Sequence, residues 1–263
     1  MLMLRIALGL LVVFSSFLLA DEKPKPFPLP EDPKAVVISF DLHSGFTLPR
    51  LNKAPVMSIL ADGTVLMPDL YGQAKDIEGK ISRKQLQSLL QFCVTENKFF
   101  DYDEKDVQAR MKKAQHTRQI PQVADAPVSA FVIQLADRRH TASQYALGMT
   151  GEFYEDIKEL QNLRAIEKKM NSVMNEVRVG GKKGIAKLLK AANAELRKQH
   201  PDVKPLTAAE FRGAYFRQGG VLSATFSRFG MTKDGKRDGT HTVASVQVPE
   251  DGEPEVTVNV KAK

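Results

Sequence analysis

Cysteine occurs once in 263 residues, so no disulfide can form within the chain. That sets it apart from small disulfide-stapled extracellular scaffolds and leaves no set of thiolates for a metal cluster. Catalytic signatures are equally scarce. The five histidines (His43, His116, His140, His200 and His241) are scattered, with no H-E-x-x-H and no i, i+4 pair to converge on a metal. His43 and Ser44 adjoin in "DLHSGF", but successive strand residues point to opposite faces, and no G-x-S-x-G accompanies them. Asp41 and His43 can share a face, and without a nucleophile their contact reads as a surface hydrogen bond. "GGKKGIAK" has the glycines and lysines of a phosphate loop without its G-x-x-x-x-G-K-[ST] spacing or its magnesium-holding hydroxyl. "KDGKRDG" and "PEDGEPE" lack the alternating ligands of a calcium loop and read as hairpin turns. These absences predict no bound metal and no cofactor.

Long apolar runs are also missing, except at the start. Arg5 is the only charge before Asp21, and "IALGLLVVFSSFLLA" (6–20) follows it. A short positive region, about fifteen apolar residues and a small residue at Ala20 have the form of a secretory signal cleaved near Ala20. The run is shorter than the roughly 20 residues a spanning helix needs. An uncleaved N-terminal anchor is the alternative. Pro24, Pro26, Pro28, Pro30 and Pro33 come next, fixing φ and removing amide donors. Residues 21–34 are therefore expected to form an extended, solvated spacer. The mature chain is expected in the periplasm or outside the cell.

Charge is unevenly placed. Residues 21–160 carry 18 Lys and Arg against 20 Asp and Glu, whereas residues 161–263 carry 19 against 11. That step places a domain boundary near residue 160, giving an N-terminal domain over 35–160 and a basic C-terminal domain over 161–263.

Both parts read as α+β, each an antiparallel sheet packed with helices. In the first, Asp62-Gly63 between apolar runs predicts a hairpin within 54–69. Ser82 with Gln85 is a capping-box pattern, and Leu86, Leu89, Leu90 and Cys93 follow as one apolar stripe. Cys93 thus reads as core filler rather than nucleophile. A short helix is expected from Asp103, and a hairpin over 127–147 turning near Asp137. The order "ADGTV…GKISRKQLQSLL…NKFFDYD…DAPVSAFVIQL" resembles an uncharacterised α+β domain of secreted bacterial proteins and lipoproteins, over residues 35–160. Its motifs fall at Asp62-Gly63, Gly79 to Ser82, Phe99-Phe100 and Asp125 to Pro127, while the cysteines some members carry before the first strand are absent here. The resemblance implies a fold and a compartment and no reaction.

In the second part, a helix is expected over 152–177, with Phe153, Ile157, Leu160, Met170, Val173 and Val177 near one face. "VGGKKG" interrupts it, and another helix is expected from Ile185 to Gln199. Segments 211–229, 240–248 and 255–262 alternate apolar and polar residues between turn clusters. This is a helix laid over an antiparallel meander, similar in layout to cystatin-like or peptidase-propeptide modules, though no Gln-x-Val-x-Gly inhibitor loop is present. The second helix has a cationic side, and with the glycines before it the candidate anion-binding residues are Gly181, Lys182, Lys183, Lys187, Lys190, Arg197 and Lys198. The expected partner is an anionic envelope surface or another envelope protein. Nucleic acid is disfavoured, because no stacking aromatics interleave with these charges. The reading favoured by the residues is a non-catalytic binding module. The alternatives are a hydrolase whose carboxylates (Asp41, Asp62, Asp69, Asp76) converge only in the fold, and an inhibitor-like module by fold analogy.

Overall fold

The computed structural model describes residues 25–43, 50, 52–70, 75–121, 123–217, 220–232, 234–235, 237–250 and 252–261. The expected signal segment lies outside the described residues. The fold is α+β, built on two antiparallel sheets.

The first sheet has six strands: β1 (Val36–His43), β2 (Met57–Leu60), β3 (Thr64–Met67), β4 (Ile77–Lys80), β5 (Val128–Gln134) and β6 (Arg139–Tyr145), in the order β4-β3-β2-β1-β5-β6. The turn between β2 and β3 falls at Asp62-Gly63, where Gly63 has φ +86° and a side chain would collide with the Ile81 carbonyl. Register aligns Phe40 with Met57 on one side and Phe131 on the other, and the Phe40 and Phe131 rings stack at 5.0 Å. These rings share the buried face with Ile38, Ile59, Val65 and Ile133.

Helices close that face. α1 (Arg83–Leu90) starts with the expected capping box: Ser82 Oγ accepts from the Gln85 N–H, and Gln85 Oε1 accepts from the Ser82 N–H. Its stripe of Leu86, Leu89 and Leu90 is buried, and Cys93 follows in a π-helical turn over Gln91–Glu96. Each such side chain contributes about 1.5–3 kcal/mol on burial. α2 (Glu104–Gln115) begins where Asp103 Oδ1 accepts from the amides of Lys105 and Asp106. The helix expected over 152–177 is instead two. α3 (Leu147–Phe153) stops at Tyr154, and α4 (Lys158–Arg178) starts after Ile157, both linking residues having non-helical backbone. The Gln161 amide donates to the Gly151 and Tyr154 carbonyls and so satisfies the end of α3.

Two expectations are corrected here. Leu160, Leu163, Ile166, Met170 and Met174 of α4 are buried in the first core, and the second core begins at Val179. The change of core therefore falls near residue 179 and not at the charge step near 160. Charge reports the solvent side of α4, whereas core membership follows its apolar stripe. The described part of the proline-rich segment is not a free spacer: it lacks helix and strand over 25–30 and turns over 31–34. The Phe27 N–H donates to Gln87 Oε1 (2.7 Å), Gln87 Nε2 donates back to the Phe27 carbonyl (3.1 Å), and Phe27 and Leu29 pack on the first core.

The second sheet holds β7 (Phe211–Phe216), β8 (Leu222–Met231), β9 (Arg237–Val248) and β10 (Glu255–Lys261) in meander order β10-β9-β8-β7. The span 211–229 is thus two strands joined by a turn. α5 (Gly181–Gln199) covers one face, burying Leu188, Ala192 and Leu196 against Ala224, Phe226, Ala244 and Val246. It starts four residues earlier than expected, because Gly180 and Gly181 take up the reversal in left-handed backbone (φ +79° and +74°). The next glycine, Gly184, lies so close to the Val179 carbonyl that a Cβ would fall 1.4 Å from its oxygen.

Candidate functional site

The candidate anion-binding residues lie where helical spacing puts them. Lys182, Lys183, Lys187, Lys190, Arg197 and Lys198 are all exposed; Lys182 flanks the buried stripe of α5 and the other five lie opposite it. Among the described residues only Lys198 has an ion-pair partner, Glu195 at 3.7 Å. Arg197 and Lys198 sit in the last turn, where the helix dipole favours cations. Lys182 and Lys183 sit in the first turn with no acidic residue beside them, so the positive end of the dipole adds to their charge. Gly181 is set apart from the stripe: it lines a groove on the other side of the α4–α5 corner.

That groove was not apparent in the sequence. It runs between α1 with its π-helical turn and the C-terminal half of α4, over the edge strand β4, and encloses about 630 Å³. Its apolar lining comes from Ile81, Leu89, Phe92, Val173 and Val177. Gly79 makes the floor possible, since a Cβ there would sit 2.5 Å from Val177 Cγ1. Lysines stand at the rim: Lys80 pairs with Asp62 at 3.0 Å, and Lys169 Nζ lies 5.8 Å from the Phe92 ring centroid. Lys84 joins them from α1, and Glu78, Glu96 and Glu176 alternate with these cations. Ligand sites have this form, with apolar walls, a few polar groups and several hundred cubic ångströms.

A second concavity of about 680 Å³ lies between α2, β6 and α3 and is more polar. Its groups bond to each other. Gln108 Nε2 donates to Gln144 Oε1 (3.1 Å), Gln144 Nε2 donates to the Tyr145 carbonyl, and Arg118 makes two bonds to Asp156 (2.9 and 2.7 Å). Such a network holds the elements together and offers a ligand few free donors.

The four carboxylates weighed as catalytic groups do not form one cluster: Asp69 and Asp76 adjoin, while Asp41 and Asp62 each have their own set of partners. Asp41 is buried, pairs with Arg50 Nη1 at 2.8 Å and His43 Nδ1 at 3.1 Å, and accepts from the amides of Leu42 and Val56. It ties β1 to the segment entering β2. Ser44 lies outside the described residues. Asp62 stands at the far end of β2, where the Thr64 amide, the Lys80 ammonium and the Thr64 hydroxyl hold its pKa down to about 2. Asp76 Oδ1 accepts from the Asp69 N–H (2.7 Å) across the β3–β4 connection. With its pKa held low, Asp62 is ionised at neutral pH and has no proton to give as a general acid. Cys93 is fully buried, and desolvation pushes its thiol up to about 12. Among the described residues no group of three or more His, Cys, Asp or Glu is placed to hold a metal ion.

No family model, curated protein or solved structure matches the chain.

Proposed function

We propose that this chain is an exported, non-catalytic binding module that takes an amphiphilic ligand in the α1–α4 groove. The observation that carries the reading is the lining of that groove. Ile81, Leu89, Phe92, Val173 and Val177 would accept a hydrocarbon portion, and Lys84 and Lys169 would meet an anionic head at the rim. Export rests on the apolar run at 6–20, and no helix among the described residues is long and apolar enough to cross a membrane. The likeness of residues 35–160 to a domain of secreted bacterial proteins and lipoproteins points to the same compartment. Titration of the protein with anilinonaphthalene sulfonate, an anionic amphiphile, tests the site. Saturable fluorescence at one equivalent, displaced by dodecanoate and weakened about tenfold by Val173→Glu, supports it. Equal binding by parent and variant removes the groove from consideration. N-terminal sequencing of exported material, expected to start near Asp21, tests the compartment.

The exposed cations of α5 favour a second role, attachment to anionic lipid headgroups. Retention on phosphatidylserine vesicles is then expected to fall with salt and to drop on changing Lys183, Lys187 and Lys190 to glutamine. A triple variant retained as well as the parent would leave the stripe as a solubility feature.

A further inference from the structure

On the face of the second sheet turned away from α5, Thr225, Val243, Ser245 and Gln247 are half-buried and Thr257 and Asn259 exposed, whereas Ser223 and Ser227 are buried. Ala224, Phe226, Ala244 and Val246 point into the core beneath the helix, so the odd-numbered residues of β8 and β9 point outward. Strand pairing arranges these outward residues in rows. Thr225, Ser245 and Thr257 stand side by side, with Ser227, Val243 and Asn259 in the next row. The centre of the face is therefore flat, uncharged and rich in hydroxyl and amide groups.

Its two ends differ from the centre. At one end Tyr215 lies beside Ser223 and is 50% exposed, and Arg217 Nη2 donates to its hydroxyl (3.3 Å). At the other end Phe229 is 39% exposed, stacks on His241 at 5.9 Å, and carries the Arg237 guanidinium 4.2 Å above its ring. Lys261 pairs in register with His241, and Arg212 reaches over the β7 edge to Ser227 Oγ (2.9 Å). Against these cations the rows contain one carboxylate, Glu255. Six residues along β8 separate the aromatic ends, a span of roughly 20 Å.

We propose that this face binds a linear acidic polysaccharide. Sugar hydroxyls match Thr225, Ser245, Gln247, Thr257 and Asn259, whose side chains both donate and accept. The apolar face of a sugar ring suits the half-exposed ring of Tyr215, and uronate carboxylates suit Arg217 and Arg237 at the two ends. A sheet face of this kind suits a polymer lying across it. Single-stranded nucleic acid fits less well. It needs successive ring platforms, whereas these rings stand at opposite ends and Phe229 is already covered by Arg237.

The site is separate from the groove and from the α5 lysines, and the test keeps them apart. Affinity electrophoresis of the protein in gels containing polygalacturonate should show retardation that weakens with salt. Ser245→Glu, at the centre of the face, and Arg237→Gln combined with Lys261→Gln should each weaken it about tenfold or more. The triple glutamine variant of Lys183, Lys187 and Lys190 should be retarded as the parent is. Should Ser245→Glu prove unfolded by thermal denaturation, Thr257→Glu on the edge strand reads the same row. The proposal is overturned if the parent is not retarded, if only the α5 variant loses retardation, or if an oligo-thymidylate binds more tightly than polygalacturonate.

Discussion

Gln87 holds Phe27 with both ends of its side-chain amide, accepting from the Phe27 N–H at 2.7 Å and donating to the Phe27 carbonyl at 3.1 Å. Residues 25–30 belong to no helix or strand, so a reciprocal amide pair serves as their anchor point. The Pro28 carbonyl adds a bond from the Ala136 amide, tying the same segment to the β5–β6 turn. Gln87→Ala is expected to cost about 1–2 kcal/mol and to release residues 25–34. Limited proteolysis should cut the variant there while the parent stays intact. Equal protection in both would assign the docking to the apolar contacts of Phe27 and Leu29 and to the backbone bonds of Pro28 and Pro33.

Asp62 sets a pH signature for the β2–β3 hairpin. Its folded pKa of about 2 lies below the ordinary aspartate value of about 3.9. The group therefore favours the folded state above its unfolded pKa, and that contribution is lost as pH falls toward 2. Carboxyl carbon shifts followed by NMR should show a midpoint near the lower value. Because the Thr64 amide is the leading cause, Lys80→Ala should raise the midpoint only in part.

Cys93 should not react while the protein is folded. Burial pushes its thiol up to about 12, the nearby Lys169 only partly opposing this, and no thiolate is present at neutral pH. Labelling by an aromatic disulfide reagent at pH 8 is expected to proceed at the rate of unfolding and to become immediate in urea. Prompt labelling of the native protein would contradict the packing of α1.

The groove floor depends on one hydrogen atom. Gly79→Ala would press a methyl group against Val177 Cγ1, at 2.5 Å in the present geometry, and should cost about 1–3 kcal/mol. Val177→Ala in the same chain should recover most of that loss by removing the opposing methyl groups. Urea denaturation of the two single variants and the double variant measures the coupling. Additive losses would mean that α4 does not contact β4 at this point.

Local rules recovered much of the fold. Ser82 with Gln85, Asp62-Gly63, the Leu86–Leu89–Leu90–Cys93 stripe and the alternation over 240–248 and 255–261 each act over a few residues, and each is realised. What escaped depends on distant partners. β4 is four residues containing a glycine and exists because β3 pairs with it. The groove joins Phe92 to Val173, about eighty residues apart, which no periodicity can report. The lysines of α5 were legible because one helix places them all. The rows on the outward sheet face required the register of four strands. The core division near Val179 was hidden because Leu163, Ile166 and Met174 sit in a segment whose charges already resemble those of the C-terminal part.

The last turn of α4 serves a strand outside its own core. Asn175 Oδ1 accepts from the Ala214 N–H (3.3 Å), and Arg178 Nη1 donates to the Ala214 carbonyl (3.1 Å), so both outward backbone groups of Ala214 are occupied. Asn175→Ala should cost about 1–3 kcal/mol and speed hydrogen exchange at the Ala214 amide. An unchanged exchange rate would show that the amide is protected by other means.

Residue 179 is consequently the wrong place to divide this protein, although the cores change there. A C-terminal fragment starting at 180 would leave its guard behind on the other piece. Strand β7 would then offer an unoccupied edge to every other copy in solution, and such edges recruit one another. The fragment should form concentration-dependent multimers, whereas one that keeps the final turn of α4 should remain a monomer. The peptide between the two cores is less a tether than a doorstop: it holds shut an edge through which the second sheet would otherwise polymerise.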